Sequence, residues 1–572
     1  MENNSKLESK TLPVLAVLLP ALVAGIVFAN SLRGGFVYDD RPLVTQNEAI
    51  RDLSALGIYD IFTHADYQSY APHYLPVRVL SYAIDYMIWG MNPYGFHLTN
   101  LVLHILNVML AALLVAAITG AAGGEEGRFR WLAGGVAAML FAAHPLMSES
   151  VAWIAGRKDL LATCFSICAA LCYLKSFRRP LSKKTDWPIA AGLLFFALAM
   201  MSKATAAALP AAFLAFEILL KPGEGRGRLR LRIERLAPFF VLTAALVFID
   251  ANLSVKNGMI ENWFGGSLFT HLITIATIPL LYLGKFIWPA RLCVDYATLA
   301  QKSLFSPLVL ASLLFWFASA FWFVKRGRAA AAPAALAAWA ILNLAPAMNF
   351  APTSKLIADR YVYLPAVGLF GLVGYLFARA ASARGAAARL AAFALLAAVV
   401  AGFGVLTAAR NRDWRSELTL WRSADKIEPR NPVVTHGLGY AYFEIKDYGK
   451  AERYFRETIK TDPNFKLAYF NLGVLESQIY GRDDEAISLF NKALKIDPRD
   501  ARTRANLALA YFNKGEYDKA HDEMLRAVDT SPDDFTLVRR MLAIKNSYAI
   551  RGRPFVIPQK LLDKINGKKK AK

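Results

Sequence analysis

The chain has 572 residues, 56% of them hydrophobic, with 66 Lys and Arg against 44 Asp and Glu and a mean hydropathy of +0.32. That is too apolar for an ordinary soluble protein and too charged to lie wholly in lipid. Residues 411–540 carry 22 basic and 22 acidic side chains, 541–572 carry 9 and 1, and the remaining positive charge lies in short loops between apolar runs. The pI near 9.7 therefore reports membrane topology and a basic tail, and no nucleic-acid partner is expected.

Runs of spanning length, each needing roughly 20 apolar residues, recur up to Arg410 and stop there. The first, residues 12–30, has no small-residue cleavage site after it and reads as a retained span. Basic clusters mark one side of the membrane: Lys6 and Lys10; Arg128 and Arg130; Arg178, Arg179, Lys183 and Lys184; the GEGRGRLRLRIER stretch; Lys325, Arg326 and Arg328; and Arg379, Arg384 and Arg389. The alternation puts FVYDD, AHPLMSES, MSKAT, ENWFGG, FAPTSKLIADR and everything after Arg410 on the opposite, non-cytoplasmic side. Residues 270–289 fit this parity only as a re-entrant pair or two short helices divided near Pro279, which gives about 11 spans in all. The expected fold is all-α: a polytopic domain over 1–410, a repeat domain over 411–540, and a capping helix with basic tail over 541–572.

The repeat domain rests on prolines 429, 463, 498 and 532, each closing an apolar helical pattern. A period near 34 residues is the tetratricopeptide signature. Leu438-Gly439, Leu472-Gly473 and Leu507-Ala508 sit on first helices, and Ala451, Ala486 and Ala520 open second helices. Three repeats are predicted, about 431–463, 464–498 and 499–532, with a half-repeat upstream. Such stacks form a concave surface suited to an extended peptide or a partner helix.

Charged side chains at membrane depth are costly and mark sites. In chain order these are Asp39 and Asp40 in FVYDD; Arg78 in YLPVRVLSY; His144, Glu149, Arg157 and Asp159 in AHPLMSESVAWIAGRKD; Lys203 in MSKAT; and Arg360 in LIADRYVYLP. Desolvation and mutual repulsion are expected to raise the pKa of at least one of the Asp pair, the condition for a base near neutral pH. Arg78 is placed to pair with that couple or to reach the interface. His97, Asn100 and His104 share a helical face, which predicts inter-helix hydrogen bonds. Cys164, Cys168 and Cys172 form an apolar packing stripe with no zinc spacing. A divalent Mg or Mn ion held by two carboxylates is compatible with the pattern.

In order and spacing, FVYDD, AHPLMSESVAWIAGRKD, MSKAT and ADRYVYLP, followed by the repeats, resemble the transmembrane-and-tetratricopeptide O-mannosyltransferases within the C-type membrane glycosyltransferases. The resemblance implies a polyprenyl-phosphate monosaccharide donor, with Asp39 as base and Asp40 its neighbour. It implies a protein or peptide acceptor, held by the repeats, that offers a Ser or Thr hydroxyl. Arg157, Lys203 and Arg360 would then stabilise the departing phosphate, and Glu149 would orient acceptor or phosphate, with His144, Asp159 and Arg78 in support. Ala204 stands where the family places an acidic residue after the lysine. Composition suggests a bacterial inner membrane with the site and repeats in the periplasm. The competing readings are a non-catalytic membrane-anchored scaffold, an enzyme glycosylating lipid or polysaccharide, and a transporter, the last disfavoured because charges sit at span ends.

Overall fold

The protein is described from a computed structural model covering residues 2–63, 73–123, 127–177, 187–221, 226–256, 262–297, 300–327, 329–353, 355–531, 535–550, 555–557, 559 and 562–563. Arg178, Arg179, Lys183, Lys184, Arg328, Pro532 and most of the basic tail lie outside the described residues. The described residues are almost entirely helical, with no strand among them. Contacts divide the chain into two compact units, Met1–Leu420 and Trp421–Lys572.

Within the first unit, nine helices among the described residues are long and apolar enough to cross a membrane. The centre is built by Pro93–Ala121, Gly127–Ala143, Arg157–Ser176 and Tyr363–Ser382, which pack on one another. Asn92 caps the first of these through the Tyr94 N–H at 3.1 Å, with Pro93 at the first turn. Close approach between helices depends on missing side chains. A Cβ on Gly368 would lie 2.5 Å from the Leu336 carbonyl oxygen, and one on Gly374 would lie 2.2 Å from that of Ala133. Such small-residue seams let membrane helices gain dispersion contacts where no hydrophobic drive exists. Gly374→Val is expected to pry Gly127–Ala143 from Tyr363–Ser382 and cost about 1–3 kcal/mol, read as a lower unfolding temperature in detergent; an unchanged temperature would show that the seam is not closed there.

Polar groups inside this bundle are tied across helices, as FHLTNLVLHILN predicts. Asn100 Nδ2 donates to the Trp153 carbonyl at 2.9 Å, Asn107 Nδ2 to that of Leu160 at 2.9 Å, and His104 Nδ1 bonds the Tyr363 hydroxyl at 2.7 Å. Helices Arg226–Lys256, Pro307–Arg326 and Ala386–Asp413 lie outermost and present apolar side chains outward. Between Pro307–Arg326, Ala331–Leu344 and Tyr363–Ser382 lies a cavity of about 810 Å3 walled by apolar side chains, among them Phe315, Trp322, Phe323, Ile341, Leu372 and Leu376.

The segment Leu268–Ile287 qualifies as a span by length and composition, yet both of its ends attach to one end of the bundle. Near its start His271 Nε2 donates to the Asn349 carbonyl at 2.8 Å. Near its end the Tyr282 hydroxyl donates to the Ala358 carbonyl at 2.9 Å, and the Phe286 carbonyl receives His144 Nε2 at 3.0 Å. The segment is two short helices, Leu268–Ile275 and Ile278–Ile287. Pro279 sits in the first turn of the second, where its missing N–H costs nothing. Setting this segment aside leaves eight long helices; the bent pair Gly127–Ala143 and Pro145–Ala152 is a further candidate span, and Trp187–Ser202 and Ala204–Leu219 are shorter apolar helices.

The second unit is a stack of antiparallel helix pairs: Pro432–Glu444 with Tyr448–Thr461, Lys466–Gln478 with Asp483–Ile496, and Ala501–Lys514 with Tyr517–Thr530, followed by Phe535–Ile550. A Cβ on Gly439 would lie 2.6 Å from the Phe455 ring, and one on Gly473 would lie 2.7 Å from that of Phe490. Each first helix thus meets its partner through the small residue of the repeat. Asn431, Asp447 and Asp500 cap three of the helices through their side-chain oxygens.

Candidate functional site

After the first helix the chain turns through Gly34, whose added Cβ would stand 2.7 Å from the His97 ring, and reaches Tyr38 in the left-handed region at φ 55°. The Tyr38 N–H is held by Glu417 Oε1 at 2.6 Å. This turn sends the two aspartates to different surroundings. Asp40 is wholly buried and accepts the N–H groups of Val37 at 3.0 Å and Ala155 at 2.8 Å, stitching the loop after the first helix to the segment ahead of Arg157–Ser176. Burial pushes its carboxyl well above the ordinary carboxylate range, against the pull of those two bonds. The raised carboxyl is thus Asp40, a loop anchor. Asp39 is half-buried, and its carboxylate forms no hydrogen bond or ion pair among the described residues.

The second loop supplies most of the charge. Glu149, in the first turn of Ser148–Ala152, is buried and takes both the main-chain N–H of Arg360, at 3.0 Å, and its guanidinium. Lys203 forms an ion pair with Asp159. Asp159 thus supplies from a distant segment the carboxylate that Ala204 does not. Lys355 pairs with Asp295 at 2.9 Å and lies 5.1 Å from the centre of the Tyr38 ring. Burial opposes its charge, but Tyr38 and Asp295 together hold its pKa above the ordinary lysine value. Trp153, 5.6 Å from the Tyr38 ring, underlies Arg360 at 5.5 Å and Lys158 at 5.7 Å. Asp39, Arg78, Glu149, Lys158, Asp159, Lys203, Lys355 and Arg360 therefore gather at one end of the bundle.

Arg157 and His144, both singled out in the sequence, have their polar groups turned to other parts of the chain. Arg157 faces inward: Nε donates to Asn100 Oδ1 at 2.8 Å, Nη1 to the Ser81 carbonyl at 3.2 Å and Nη2 to the Phe96 carbonyl at 2.7 Å, while Nη1 forms an ion pair with Asp85 at 2.5 Å and the guanidinium lies 4.9 Å from the centre of the Tyr82 ring. These contacts tie the buried guanidinium to three other segments of the chain. His144 is also occupied: its Nδ1 accepts the Leu146 N–H at 3.2 Å, its Nε2 reaches Phe286, and Phe286, Phe370 and Phe403 surround its ring. Arg78 is buried close to Asp39 and Tyr82, without a direct ion pair to either aspartate among the described residues, and burial pulls its pKa below the usual guanidinium value. Lys158, Lys355 and Asp85 were missed. Lys158 is the residue after Arg157, and Lys355 lies in a stretch read only as a loop. Among the described residues no three His, Cys, Asp or Glu side chains converge as metal ligands would.

Two tetratricopeptide repeat models match the chain, over residues 436–501 and 480–544. It is 25% identical to "Protein O-mannosyl-transferase TMTC3" of Mus musculus over 97% of this chain and 62% of that protein. It is 27% identical to "Protein O-mannosyl-transferase TMTC4" of Homo sapiens over 77% of this chain and 66% of that protein. The chain thus spans about two thirds or less of the length of these curated relatives. Among solved structures, ArnT from Cupriavidus metallidurans bound to undecaprenyl phosphate overlaps 85% of this chain and 80% of its own at 15% identity, with a TM-score of 0.36, too loose a superposition to define a shared fold. MamA from Desulfovibrio magneticus RS-1 overlaps 27% of this chain and 85% of its own, at 20% identity and a TM-score of 0.24. The motifs from FVYDD to ADRYVYLP and the proline-spaced repeats thus resemble the family for which the curated relatives are named, and the chain is similar to protein O-mannosyl-transferases along nearly all of its length.

Proposed function

We propose that the chain transfers a hexose, mannose by analogy with its relatives' names, from a polyprenyl-phosphate donor to a Ser or Thr hydroxyl of a protein on the non-cytoplasmic face of a bacterial inner membrane. The observation that carries this reading is the unengaged Asp39 carboxylate beside a cluster of buried and half-buried cations at the end of a membrane bundle. Asp39 takes the proton of the acceptor hydroxyl as that oxygen bonds to the anomeric carbon. The bond from that carbon to the phosphate oxygen breaks with its electron pair on the phosphate, and attack from the opposite side inverts the centre. Preorganised cations stabilise the second negative charge of the leaving group without reorganising at the moment of reaction. Glu149 holds Arg360 at the rim through two contacts, and Asp159 does the same for Lys203. The repeats offer a surface suited to a segment of the protein acceptor.

The test is mass spectrometry of periplasmic and outward-facing membrane proteins from cells with and without the chain. A hexose-sized mass increment on Ser or Thr, present only with the chain, is expected. Identical mass profiles in cells with the chain verified in the membrane would reject the activity. An increment confined to lipid or polysaccharide would replace the acceptor.

A further inference from the structure

Four of the six cations considered at or beside this site already have a carboxylate: Arg157 has Asp85, Lys203 has Asp159, Lys355 has Asp295 and Arg360 has Glu149. The remaining two are Arg78 and Lys158. Arg78 is 3% exposed, and its Nε has no hydrogen-bond partner; a buried guanidinium donor in that condition is costly unless something polar fills the space beside it. Lys158 is half-buried on the Trp153 face, and Asp159, a carboxylate that acts on it, is committed to Lys203. Arg78 is among the charges that act on Lys158, and Asp39 is among those that act on Arg78. A chain of three charges without ion pairs among the described residues therefore runs Asp39, Arg78, Lys158.

We infer that Arg78 and Lys158, rather than Arg157, Lys203 or Arg360, receive the phosphate of the lipid-linked donor. The inference deepens the proposed function and rests on it for the donor. Its support is a charge balance held through the reaction. Before transfer, the two cations face one negative Asp39 and one negative phosphodiester, and the four charges sum to zero. Afterwards Asp39 carries the acceptor's proton and is neutral, while the phosphate monoester carries two negative charges, and the sum is again zero. In a low-dielectric pocket an uncompensated charge is heavily penalised. Two unpaired cations match the leaving group's final charge, and the single base returns the balance at the start. The already neutralised pairs would each bring a carboxylate toward the same anion and weaken its hold.

The test uses the full-length protein in detergent with an amine-acylating reagent, and reads the rate of modification at Lys158 by peptide mass. The probes are a polyprenyl monophosphate, the matching polyprenol and inorganic phosphate. The monophosphate is expected to slow acylation at least tenfold, and the polyprenol to leave it unchanged. Equal protection by inorganic phosphate at the same concentration would keep the anion pocket and remove the lipid donor, which sinks the proposed function and spares the site. No protection in any arm overturns the inference. Independently, Arg78→Gln and Lys158→Met are each expected to weaken polyprenyl monophosphate binding tenfold or more. Variants that melt like the parent and bind within twofold of it overturn the assignment; if transfer also survives in them, the enzyme reading stands without this pocket.

Discussion

Asp39→Asn is expected to reduce glycosyl transfer by about 10²–10⁴-fold, the range set by loss of a general base, while leaving the unfolding temperature close to that of the parent and the binding of polyprenyl monophosphate no weaker. The fold survives because the Asp39 carboxylate holds nothing among the described residues. The amide keeps the shape and loses the capacity to take the acceptor's proton. Its neighbour supplies the contrast. Asp40→Ala orphans the buried N–H groups of Val37 and Ala155, at roughly 1–3 kcal/mol for each, so its loss of activity comes with a lower unfolding temperature. The assay is transfer of a hexose from a polyprenyl-phosphate donor to a Ser/Thr peptide by purified protein, with thermal unfolding measured on the same samples. Near-parent transfer by Asp39→Asn would remove this residue as the base.

The second large effect is on folding. Arg157→Met is expected to cost about 3–5 kcal/mol, because it leaves the buried Asp85 charge without its partner and also deprives the Asn100, Ser81 and Phe96 oxygens of a donor. Against a total stability of roughly 5–15 kcal/mol for a typical protein, that appears as poor yield and early unfolding in detergent. Neutralising both partners, Asp85→Asn with Arg157→Gln, is expected to recover part of the loss. An Arg157→Met protein that melts like the parent yet binds polyprenyl monophosphate poorly would return this guanidinium to the phosphate site.

The contrast between Arg157 and Lys158 shows where the sequence stops informing. Both follow AWIAG and both are basic, and one step along a helix turns a side chain by about 100°. Which of the two faces the core depends on the Asp85 and Asn100 positions of other helices, and no local pattern records those. The same holds for Lys203: its counter-charge is Asp159, on a helix that meets it only after the chain has crossed the membrane. What depends on local chemistry was legible. Proline spacing and small residues reveal the repeats, and length with apolarity reveals the spans. The polar face of FHLTNLVLHILN foretells cross-helix bonds, and Pro279 flags the break in Leu268–Ile287 within a few residues of its position at Ala276 and Thr277. The FVYDD pair stood out in the sequence as two adjacent carboxylates; its division into an anchor and an unengaged carboxylate did not, since it follows from the left-handed turn at Tyr38.

The apolar cavity of about 810 Å3 beside Pro307–Arg326 bears on how the molecule must be handled. Water is unstable against walls of Phe, Trp, Leu and Ile, so hydrocarbon from a bilayer or a detergent that entered that space would add to the packing of the outer helices. The length of the surfactant tail is therefore expected to be a variable of the solubilised protein's stability.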